Sequence, residues 1–326
     1  MKRMLCTTLV CMLLILCACS GTINTKDARW PVTIGEYTFT RVPKRVVTLS
    51  PAMTDTIYTL GYGGRVVGVS DYCELPAAAR DAVQCGTVLL PNTDAILQLG
   101  PDMLFTSAPL PISITKSLEE AGVQVVVVTY ADTLEGLMQN YRLICTAFEG
   151  ESIGRLRAEQ LVYFAENTRD YLRKAVISAT ESETRGAIYL RKLPAFLATG
   201  DTLEGRLLDD IGFENIGSDA TGWYYPLETL KGLMPDYIFC DYSISLEVLK
   251  SSDYYKQAPA VSDEKVYSFD ARVFERQSPA MFLSLEELLR SAFPNAFEMP
   301  KPSIIMPMPE PEPEPEKSWW QKLYSK

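Results

Sequence analysis

SIGRLRAEQLVYFAENTRDYLRKAVISAT, residues 152 to 180, contains no proline and only one glycine. Apolar residues recur in it close to the 3.6-residue period of an α-helix, with charged residues between them. These apolar residues are Ile153, Leu156, Leu161, Val162, Ala165, Leu172, Ala175 and Val176. At 1.5 Å per residue the helix is roughly 40 Å long, about the width of a domain. The stretch therefore predicts a helix that connects two lobes.

A repeated heptapeptide stands on both sides of this helix. Leu99-Gly-Pro-Asp-Met-Leu-Phe105 precedes it, and Leu233-Met-Pro-Asp-Tyr-Ile-Phe239 follows it. Because proline stops a helix and an apolar run needs cover on both faces, each copy predicts a short helix, a Pro-Asp turn and a buried strand. We expect two α/β lobes of like build, the N-terminal lobe at 31–150, the connecting helix at 151–181 and the C-terminal lobe at 182–297.

The N-terminus reads as an export signal. Residues 1–19 begin with two basic residues and continue as an apolar run. The run ends in Leu16-Cys-Ala-Cys19, which resembles a bacterial lipobox and by that resemblance makes Cys19 the lipidated first residue of the mature chain. A plain signal peptide or an uncleaved anchor are the alternatives. Residues 20–30 form a linker, and no later run has the roughly 18 apolar residues of a membrane span. We expect an extracytoplasmic protein tethered to a membrane.

Charge and composition narrow the function. Removing Lys2 and Arg3 from the 31 basic residues leaves 29 against 41 acidic ones, a net charge of −12, so nucleic acid is not an expected partner. The chain has no histidine. It therefore lacks the usual general base at neutral pH and the usual zinc or haem-iron ligand. We assign no catalytic residue, no metal site and no cofactor.

Four cysteines remain outside the signal region. Cys73 and Cys85 flank one loop, and outside the cytoplasm a disulfide between them and a pair of unpaired thiols both fit the sequence. Cys145 lies in an apolar helical stretch and Cys240 ends an apolar strand, so both are predicted to be buried packing residues.

The N-terminal lobe carries a recognisable order of motifs. Pro43-Lys-Arg-Val-Val-Thr-Leu-Ser-Pro51 reads as a strand entering a polar loop, Thr54–Leu60 as a helix, and Arg65-Val-Val-Gly-Val-Ser70 as a second strand. With the Pro-Asp turns, this order resembles the periplasmic binding proteins of the siderophore and vitamin B12 import class, over roughly residues 30–297. The resemblance implies two Rossmann-like α/β lobes with central, mostly parallel sheets, joined by one long α-helix.

The resemblance also implies a ligand held between the lobes, near the carboxyl ends of the strands. Aromatic faces suit a corrin ring or an aromatic chelate, and an arginine can meet an oxygen anion. Packing under a loop is the alternative for each aromatic residue. The ligand-binding candidates are Ser50, Pro51, Met53, Tyr72, Thr106, Ser107, Thr199, Trp223, Tyr224, Tyr225, Tyr242, Arg272 and Phe274.

A second functional surface is implied in the same way. Binding proteins of this class dock on their permease through one acidic residue at the tip of each lobe. The first-lobe glutamate of the family falls at Asp55, and its counterpart in the second lobe is Asp209 or Glu204. The alternative is that these acids form a solvated helix face.

The composition changes past Phe297. Residues 298–326 form a Pro/Glu-rich tail, with alternating proline and glutamate from Pro309 to Glu316 and an aromatic, basic end. Such a segment is expected to be extended and outside any core. A disordered extension and a contact with a membrane or partner are both open.

These observations predict a monomeric, lipid-anchored binding protein that captures a corrinoid or an iron chelate and delivers it to the permease of an ABC importer. Few arginines in the candidate loops disfavour a highly anionic ferric catecholate. A hydroxamate-like iron-siderophore is the alternative ligand. A carboxylate-dependent extracellular enzyme and a surface interaction protein on the same scaffold are the alternatives from other classes.

Overall fold

The computed structural model describes residues 29–74, 76–180 and 185–297. The predicted signal peptide with Cys19, nearly all of the linker and the Pro/Glu-rich tail lie outside these ranges, so the predictions made for them are untested. Within the described ranges, none of the helices combines the length and the apolar character needed to cross a membrane.

The N-terminal lobe is built on a five-stranded, fully parallel sheet. An antiparallel hairpin leads into it, turning at Gly35-Glu36. The strand order in the sheet is β5-β4-β3-β6-β7. The elements are β1 Val32–Ile34, β2 Tyr37–Phe39, β3 Val46–Thr48, α1 Pro51–Thr59, β4 Val66–Val69, β5 Val83–Gln84, α2 Thr93–Leu99, β6 Met103–Thr106, α3 Ile112–Glu120 and β7 Gln124–Val127.

The long helix, α4, runs over Leu134–Ala179 and is broken at Gly150. The Thr133 hydroxyl caps its start by accepting from the Gly136 N–H at 3.1 Å. Gly150 has φ 76°, and a Cβ there would lie 2.6 Å from the Cβ of Arg29, so the break needs a glycine. The predicted helix is the part after this break. The apolar helical stretch predicted around Cys145 lies in the part before it.

The C-terminal lobe repeats the plan of the first. Its strands β10-β8-β11-β12 are parallel, and β9 pairs antiparallel with β8. The predicted fold class is confirmed. The elements are β8 Gly186–Lys192, β9 Phe196–Leu197, α5 Leu203–Asp210, β10 Glu214–Asn215, α6 Leu227–Leu230, β11 Tyr237–Asp241, α7 Leu246–Lys250, α8 Pro259–Ser262, β12 Val266–Phe269, α9 Ala271–Phe274 and α10 Ala280–Ala292.

The aspartates of the two Pro-Asp turns make equivalent hydrogen bonds in the two lobes. In the first lobe the Asp102 carboxylate accepts from the backbone N–H groups of Lys44 and Arg45, at 2.8 and 3.1 Å, just before β3. In the second lobe the Asp236 carboxylate accepts from the Gly186 N–H at 3.0 Å, at the start of β8. Each aspartate therefore ties the strand that follows its turn to the neighbouring strand of the sheet, which explains why the repeat includes it.

The core has three parts. Neighbouring strand residues point to opposite faces of the sheet, so Phe105 joins the largest cluster while Leu104 joins a smaller one on the other face. The largest cluster also contains Phe148 of α4 and Phe239 of the second lobe, so it is continuous through α4 from one lobe to the other. Ile238 contributes to a third cluster, behind the second sheet.

Cys73 and Cys85, both in the described part, are not joined by a disulfide. Cys85 is buried, and its sulfur fills the space above Gly68 of β4. Cys73 instead lies beside Thr54 of α1. The two thiols therefore have different surroundings, and the disulfide alternative is wrong for this structure. Cys145 and Cys240 are buried, as predicted.

Candidate functional site

A cavity of about 450 Å³ lies between the lobes. The first lobe contributes the loop that follows β7, and the second contributes segments that follow β8, β9 and β12. The segments after β7 and β12 leave the carboxyl ends of parallel strands, where open α/β sheets present their ligand sites, and β9 with the segment after it adds the rest of the second-lobe side. The lining residues are Tyr130, Ala131, Asp132, Phe196, Asp201, Thr202, Leu203, Glu204, Gly222, Trp223, Glu275 and Gln277.

Gln277 joins the two lobes at the cavity. Its side-chain oxygen accepts from the Ala131 N–H at 2.7 Å, and its side-chain nitrogen donates to the Ala131 carbonyl at 2.8 Å. The Tyr141 hydroxyl of α4 donates to the Gln277 carbonyl at 3.0 Å. Gln277 has φ 53°, an uncommon value for a residue with a side chain. One amide therefore pairs with both backbone groups of a residue in the opposite lobe.

The stacked rings of Trp223 and Phe196 form an aromatic wall on the second-lobe side of the main cavity. The Trp223 ring is stacked on Phe196, with ring centroids 5.5 Å apart and an angle of 18° between the ring planes. The backbone around it is held firmly, because the Trp223 N–H donates to the Thr199 hydroxyl at 3.1 Å. Asp201 accepts from the N–H of the preceding Gly222. This fixes a large apolar face towards the cavity at little conformational cost.

The polar lining of the cavity is acidic. Asp132, Asp201, Glu204 and Glu275 line it, and its lining residues include neither lysine nor arginine. Glu275 accepts from the Tyr189 hydroxyl at 2.6 Å and forms an ion pair with a neighbouring arginine of β8. Within the described residues, no group of three or more acidic or cysteine side chains is arranged to hold a metal ion. The cavity therefore favours a neutral or cationic ligand over an anionic one.

Glu204 lies in the first turn of α5 and is only 3% exposed. Burial raises its pKa from the ordinary 4.5 to about 7. The neutral carboxyl therefore stabilises the folded state fully below pH 4.5. That stabilisation is lost as the pH rises through about 7, because the charged form must then be buried.

Glu204→Gln is expected to be more stable than the wild type at pH 8, by on the order of 3 kcal/mol at most, and equal to it at pH 4. Urea unfolding at the two pH values measures the difference. Glu214→Gln is the matched control, since Glu214 is exposed, and it should change neither value. A Glu204→Gln variant that is no more stable at pH 8 than at pH 4, relative to the wild type, would show that this carboxyl does not carry a buried charge.

A smaller cavity adjoins the first and shares Tyr130 and Gln277 with it. Met53, Ser107 and Arg276 are among its lining residues. Three buried polar atoms belong to the same region: Ser50 Oγ beside Tyr130, Asp55 Oδ2, and Ser278 Oγ. These groups face one another at the smaller cavity, Ser278 against the Asp55 carboxyl and Ser50 against Tyr130.

The structure brings only some of the predicted ligand-binding residues to the cleft. Trp223 lines the main cavity, Met53 and Ser107 line the smaller one, and Ser50 lies next to Tyr130. Pro51 is half-buried at the first turn of α1. Ligand contact by these residues stays a prediction.

Other candidates are used in packing. Their backbone position is near the cleft, but their side chains point into the protein. Thr106 donates to the Ala108 carbonyl at 2.9 Å, and Thr199 holds the loop of the aromatic wall. Tyr225 is buried in the third core cluster and Phe274 in the largest one. For these four, the structure contradicts a place on the wall of either cavity.

The remaining candidates lie outside the two cavities. Tyr72, Tyr224 and Tyr242 are exposed, and Tyr242 lines a separate groove beside α10. Arg272 forms ion pairs with Asp270 and, across the lobes, with Glu74 at 2.7 Å. It is therefore a second connection between the lobes, in a different role from the predicted anion contact.

The docking candidates need correction. Asp55 is 9% exposed and Glu204 3% exposed, and burial raises the pKa of both. A carboxylate cannot form an ion pair with another protein from such a position, so the prediction is wrong for these two. Asp209 is exposed, but its carboxylate accepts from the Asn215 N–H at 2.8 Å. It lies at the C-terminal end of α5, at the edge of the sheet opposite the cleft.

Sequence reasoning missed most of the main cavity. The missed residues are Tyr130, Ala131, Asp132, Phe196, Asp201, Thr202, Leu203, Gly222, Glu275 and Gln277. One signal was available: Tyr130, Ala131 and Asp132 come shortly after the apolar run at 123–128, which reads as a strand, and a parallel sheet presents its loops at the carboxyl ends of its strands. The others follow no pattern visible in one sequence, because Gln277 meets Ala131 across 146 positions of the chain.

Comparison with known proteins agrees with this architecture. The family model described as "Periplasmic binding protein" matches residues 46–273. The "Uncharacterized ABC transporter substrate-binding lipoprotein YvrC" of Bacillus subtilis is 26% identical over 302 residues, which cover 87% of this chain and 95% of that protein. The "Fe(3+)-citrate-binding protein YfmC" of the same organism is 25% identical, over 79% of this chain and 83% of that protein.

A solved structure shares the fold. The "periplasmic Vitamin B12 binding protein BtuF of Vibrio cholerae" superimposes with a TM-score of 0.59 at 19% identity, over 78% of this chain and 98% of that one. The family match covers more than half of the chain, and two lobes joined by a long helix enclose the cavity. The chain therefore belongs to the periplasmic binding protein family and is a substrate-binding protein of ABC importers.

Proposed function

We propose that this protein is a lipid-anchored carrier that holds a neutral or cationic metal chelate, most simply a corrinoid, in the cleft between its lobes. The observation that carries the proposal is the main cavity, with the flat face of Trp223 on one side and four carboxylates without a lysine or arginine. A corrinoid offers a flat ring for the tryptophan and peripheral amide N–H groups for the carboxylates.

The same charge distribution argues against anionic chelates. A ferric citrate or ferric catecholate would bring negative charge to a lining in which Asp132 and Asp201 have no basic neighbour among the lining residues, and like charges facing one another across an interface weaken binding. A relative is named for Fe(3+)-citrate and a structural neighbour for vitamin B12. Between these two ligand classes, the acidic lining favours the second for this chain. A hydroxamate-like iron-siderophore without excess negative charge satisfies the same condition.

Anchoring through Cys19 belongs to the proposal. Its support is the lipobox-like Leu16-Cys-Ala-Cys19 and the lipoprotein named among the relatives. The family consists of binding proteins, and no observation at the cavity favours catalysis, so we propose that the chain itself performs no reaction.

We also propose new docking residues for the permease. The repeat sets the same register in both lobes: Asp94 stands seven residues before Pro101, and Glu228 stands seven residues before Pro235. Both acids are exposed, and each lies in the first turn of the helix before its Pro-Asp turn. Because these helices run antiparallel to the strands, their first turns lie at the same edge as the cleft. The pair is therefore placed to contact one permease beneath the ligand.

Calorimetric titration of the chain from Ser20 to Lys326 tests the ligand class. The panel is cobalamin, cobinamide, a ferric hydroxamate, a ferric catecholate and ferric citrate. We expect saturable one-to-one binding of a corrinoid or of the hydroxamate, and no binding of the two anionic chelates. Tight binding of citrate or catecholate alone would contradict the charge argument. No binding in folded protein would contradict the proposed ligand classes as a whole.

A further inference from the structure

A groove of about 430 Å³ runs along α10 in the second lobe. β12 and the segment after it form one wall, and α10 forms the other from Ala280 to Ser291, a length of about 16 Å. The lining residues are Tyr242, Ser268, Phe269, Asp270, Val273, Ala280, Leu283, Ser284, Glu287, Leu288 and Ser291. None of them lines either cavity of the cleft, and the proposed transport function does not use this groove.

The groove lies at the open edge of the second sheet. β12 is the last strand of the order β10-β8-β11-β12, and among the described strands only β11 pairs with it. The Lys265 and Phe269 carbonyls accept from N–H groups on the side of β11. The backbone groups of Val266 and Ser268 alternate with them and therefore point outwards. An uncovered edge of this kind is a template for pairing with another chain.

The first lobe covers the equivalent edge. β7 has the same place as β12, at the end of its sheet and next to the strand that follows the Pro-Asp turn. The β1–β2 hairpin lies against its outer side. The Tyr37 hydroxyl accepts from the Val127 N–H at 3.0 Å, and the Gln124 side chain donates to the Thr38 carbonyl at 3.1 Å. In the part of the chain that the structure describes, no hairpin pairs with the outer edge of β12 in this way.

The groove presents apolar surface to solvent. Leu283 is 40% exposed and Tyr242 is 69% exposed. The charged lining residues are both acidic: Glu287, and Asp270, which forms an ion pair with Arg272. An uncharged apolar segment therefore fits this groove better than an acidic one does.

The chain that follows Phe297 starts at one end of the groove. The Arg290 guanidinium lies 4.6 Å from the Phe297 ring, and Ser291, the next residue of α10, lines the groove. The next apolar run in the sequence is Ile304-Ile-Met-Pro-Met308, which has no charged residue. At about 3.1 Å per residue, the seven residues from Phe297 to the run span about 22 Å. The run itself then spans about 16 Å, the length of the α10 wall.

We propose that residues 304–308 fill the groove between β12 and α10 and cover the open edge of the second sheet. Their apolar side chains lie against Leu283 and Tyr242, in the place that the β1–β2 hairpin has on β7. Prolines suit this position, because the edge of a sheet tolerates residues without an N–H. The cover protects the edge from pairing with another chain. Tyr242 follows the carboxyl end of β11, so the Pro/Glu-rich stretch leaves the second lobe on the side of the ligand cleft.

Photo-crosslinking in the full mature chain tests the position of this segment. A benzophenone amino acid replaces Ile305, and mass spectrometry identifies the peptides joined to it after irradiation. We expect intramolecular crosslinks to the peptides that contain Tyr242 and Leu283. Leu283→Glu should lower their yield about tenfold, because a charge replaces the apolar contact. Leu156→Glu is the matched control: Leu156 is 56% exposed on α4, outside the groove, so its replacement should leave the yield unchanged.

Hydrogen exchange supplies an independent readout. Ile304→Glu with Ile305→Glu should speed the exchange of the Val266 and Ser268 N–H groups several-fold, because water reaches the outer edge once the segment leaves. The Tyr267 N–H faces β11 and should keep its rate. Both substitutions lie outside the described fold, so they leave its packing intact.

Four results would overturn the proposal. Crosslinks only between molecules would favour a second copy of the chain at the groove. Crosslinks to the groove from a probe at Trp320 but not from one at Ile305 would favour the aromatic end of the tail. Crosslinks from Ile305 to other surfaces, or exchange at Val266 and Ser268 that the double substitution leaves unchanged, would show that the segment does not cover β12.

Discussion

Replacing Asp94 and Glu228 together by arginine is expected to reduce ligand uptake by cells at least about tenfold, without changing the affinity of the purified protein for its ligand. The two acids occupy the same register of the repeat, are exposed, and stand at the cleft edge of their lobes. Reversing both charges turns attraction to permease arginines into repulsion, and close charge pairs between proteins couple by roughly 1.5–7 kcal/mol. Uptake of labelled ligand and calorimetry measure the two quantities.

Two comparisons sharpen this experiment. Glu119→Arg with Glu287→Arg makes the same change of charge at exposed positions of other helices, and uptake should stay near the wild-type level. Asp209→Arg tests the docking residue suggested by family resemblance, and we expect uptake to persist. Loss of uptake with Asp209→Arg but not with the Asp94 and Glu228 pair would reverse our assignment.

Replacing Trp223 by alanine is expected to weaken ligand binding about 30- to 100-fold, equivalent to 2–3 kcal/mol. The residue provides the stacked apolar wall of the cavity, and its backbone is fixed by the Thr199 hydroxyl and by Asp201. A rigid aromatic residue in a buried site is the kind of residue whose truncation costs most. Calorimetry with the ligand identified by the panel measures the loss.

Tyr224→Ala is the matched control for Trp223→Ala. Tyr224 is the next residue in the chain, but it is 52% exposed and does not line the cavity. Its replacement should change the affinity less than about twofold, and the thermal midpoint of both variants should be checked against the wild type. Equal losses in the two variants would show that the loop matters only as a whole. An unchanged affinity in the Trp223 variant would remove the aromatic wall from the ligand site.

The fold was largely predictable because its signals are local. A 3.6-residue period, a glycine-poor stretch and two Pro-Asp turns are enough to predict two parallel-sheet lobes and a connecting helix. The predicted start of that helix, at residue 151, lies next to Gly150, whose φ of 76° interrupts the helix and turns the chain between two helical segments. A single sequence cannot distinguish a glycine that ends a helix from one that bends it.

The site was less predictable, because the direction of each side chain determines which residues line the cavity. Trp223, Tyr224 and Tyr225 are consecutive aromatics, and only the first lines the cavity while the last is buried in the core. Asp55 and Glu204 read as exposed acids on short helices, but Asp55 lies against Ser278 and Arg276, and Glu204 lies against Gln277. In a short helix the cleft-facing and solvent-facing sides have the same polar pattern. The contact that decides between them comes from a distant part of the chain.

The break at Gly150 separates the rest of the long helix from the part that belongs to the first lobe. The Arg29 backbone packs against Gly150, so the break itself lies on the first lobe. The helical segment from Glu151 to Ala179 is about 44 Å long. A rotation of about 5° at Gly150 moves the far end of this helical segment by about 4 Å. The same rotation displaces residues close to Gly150 much less, so a change in the backbone dihedrals of this one glycine acts mainly on the part of the second lobe that lies farthest along the helix.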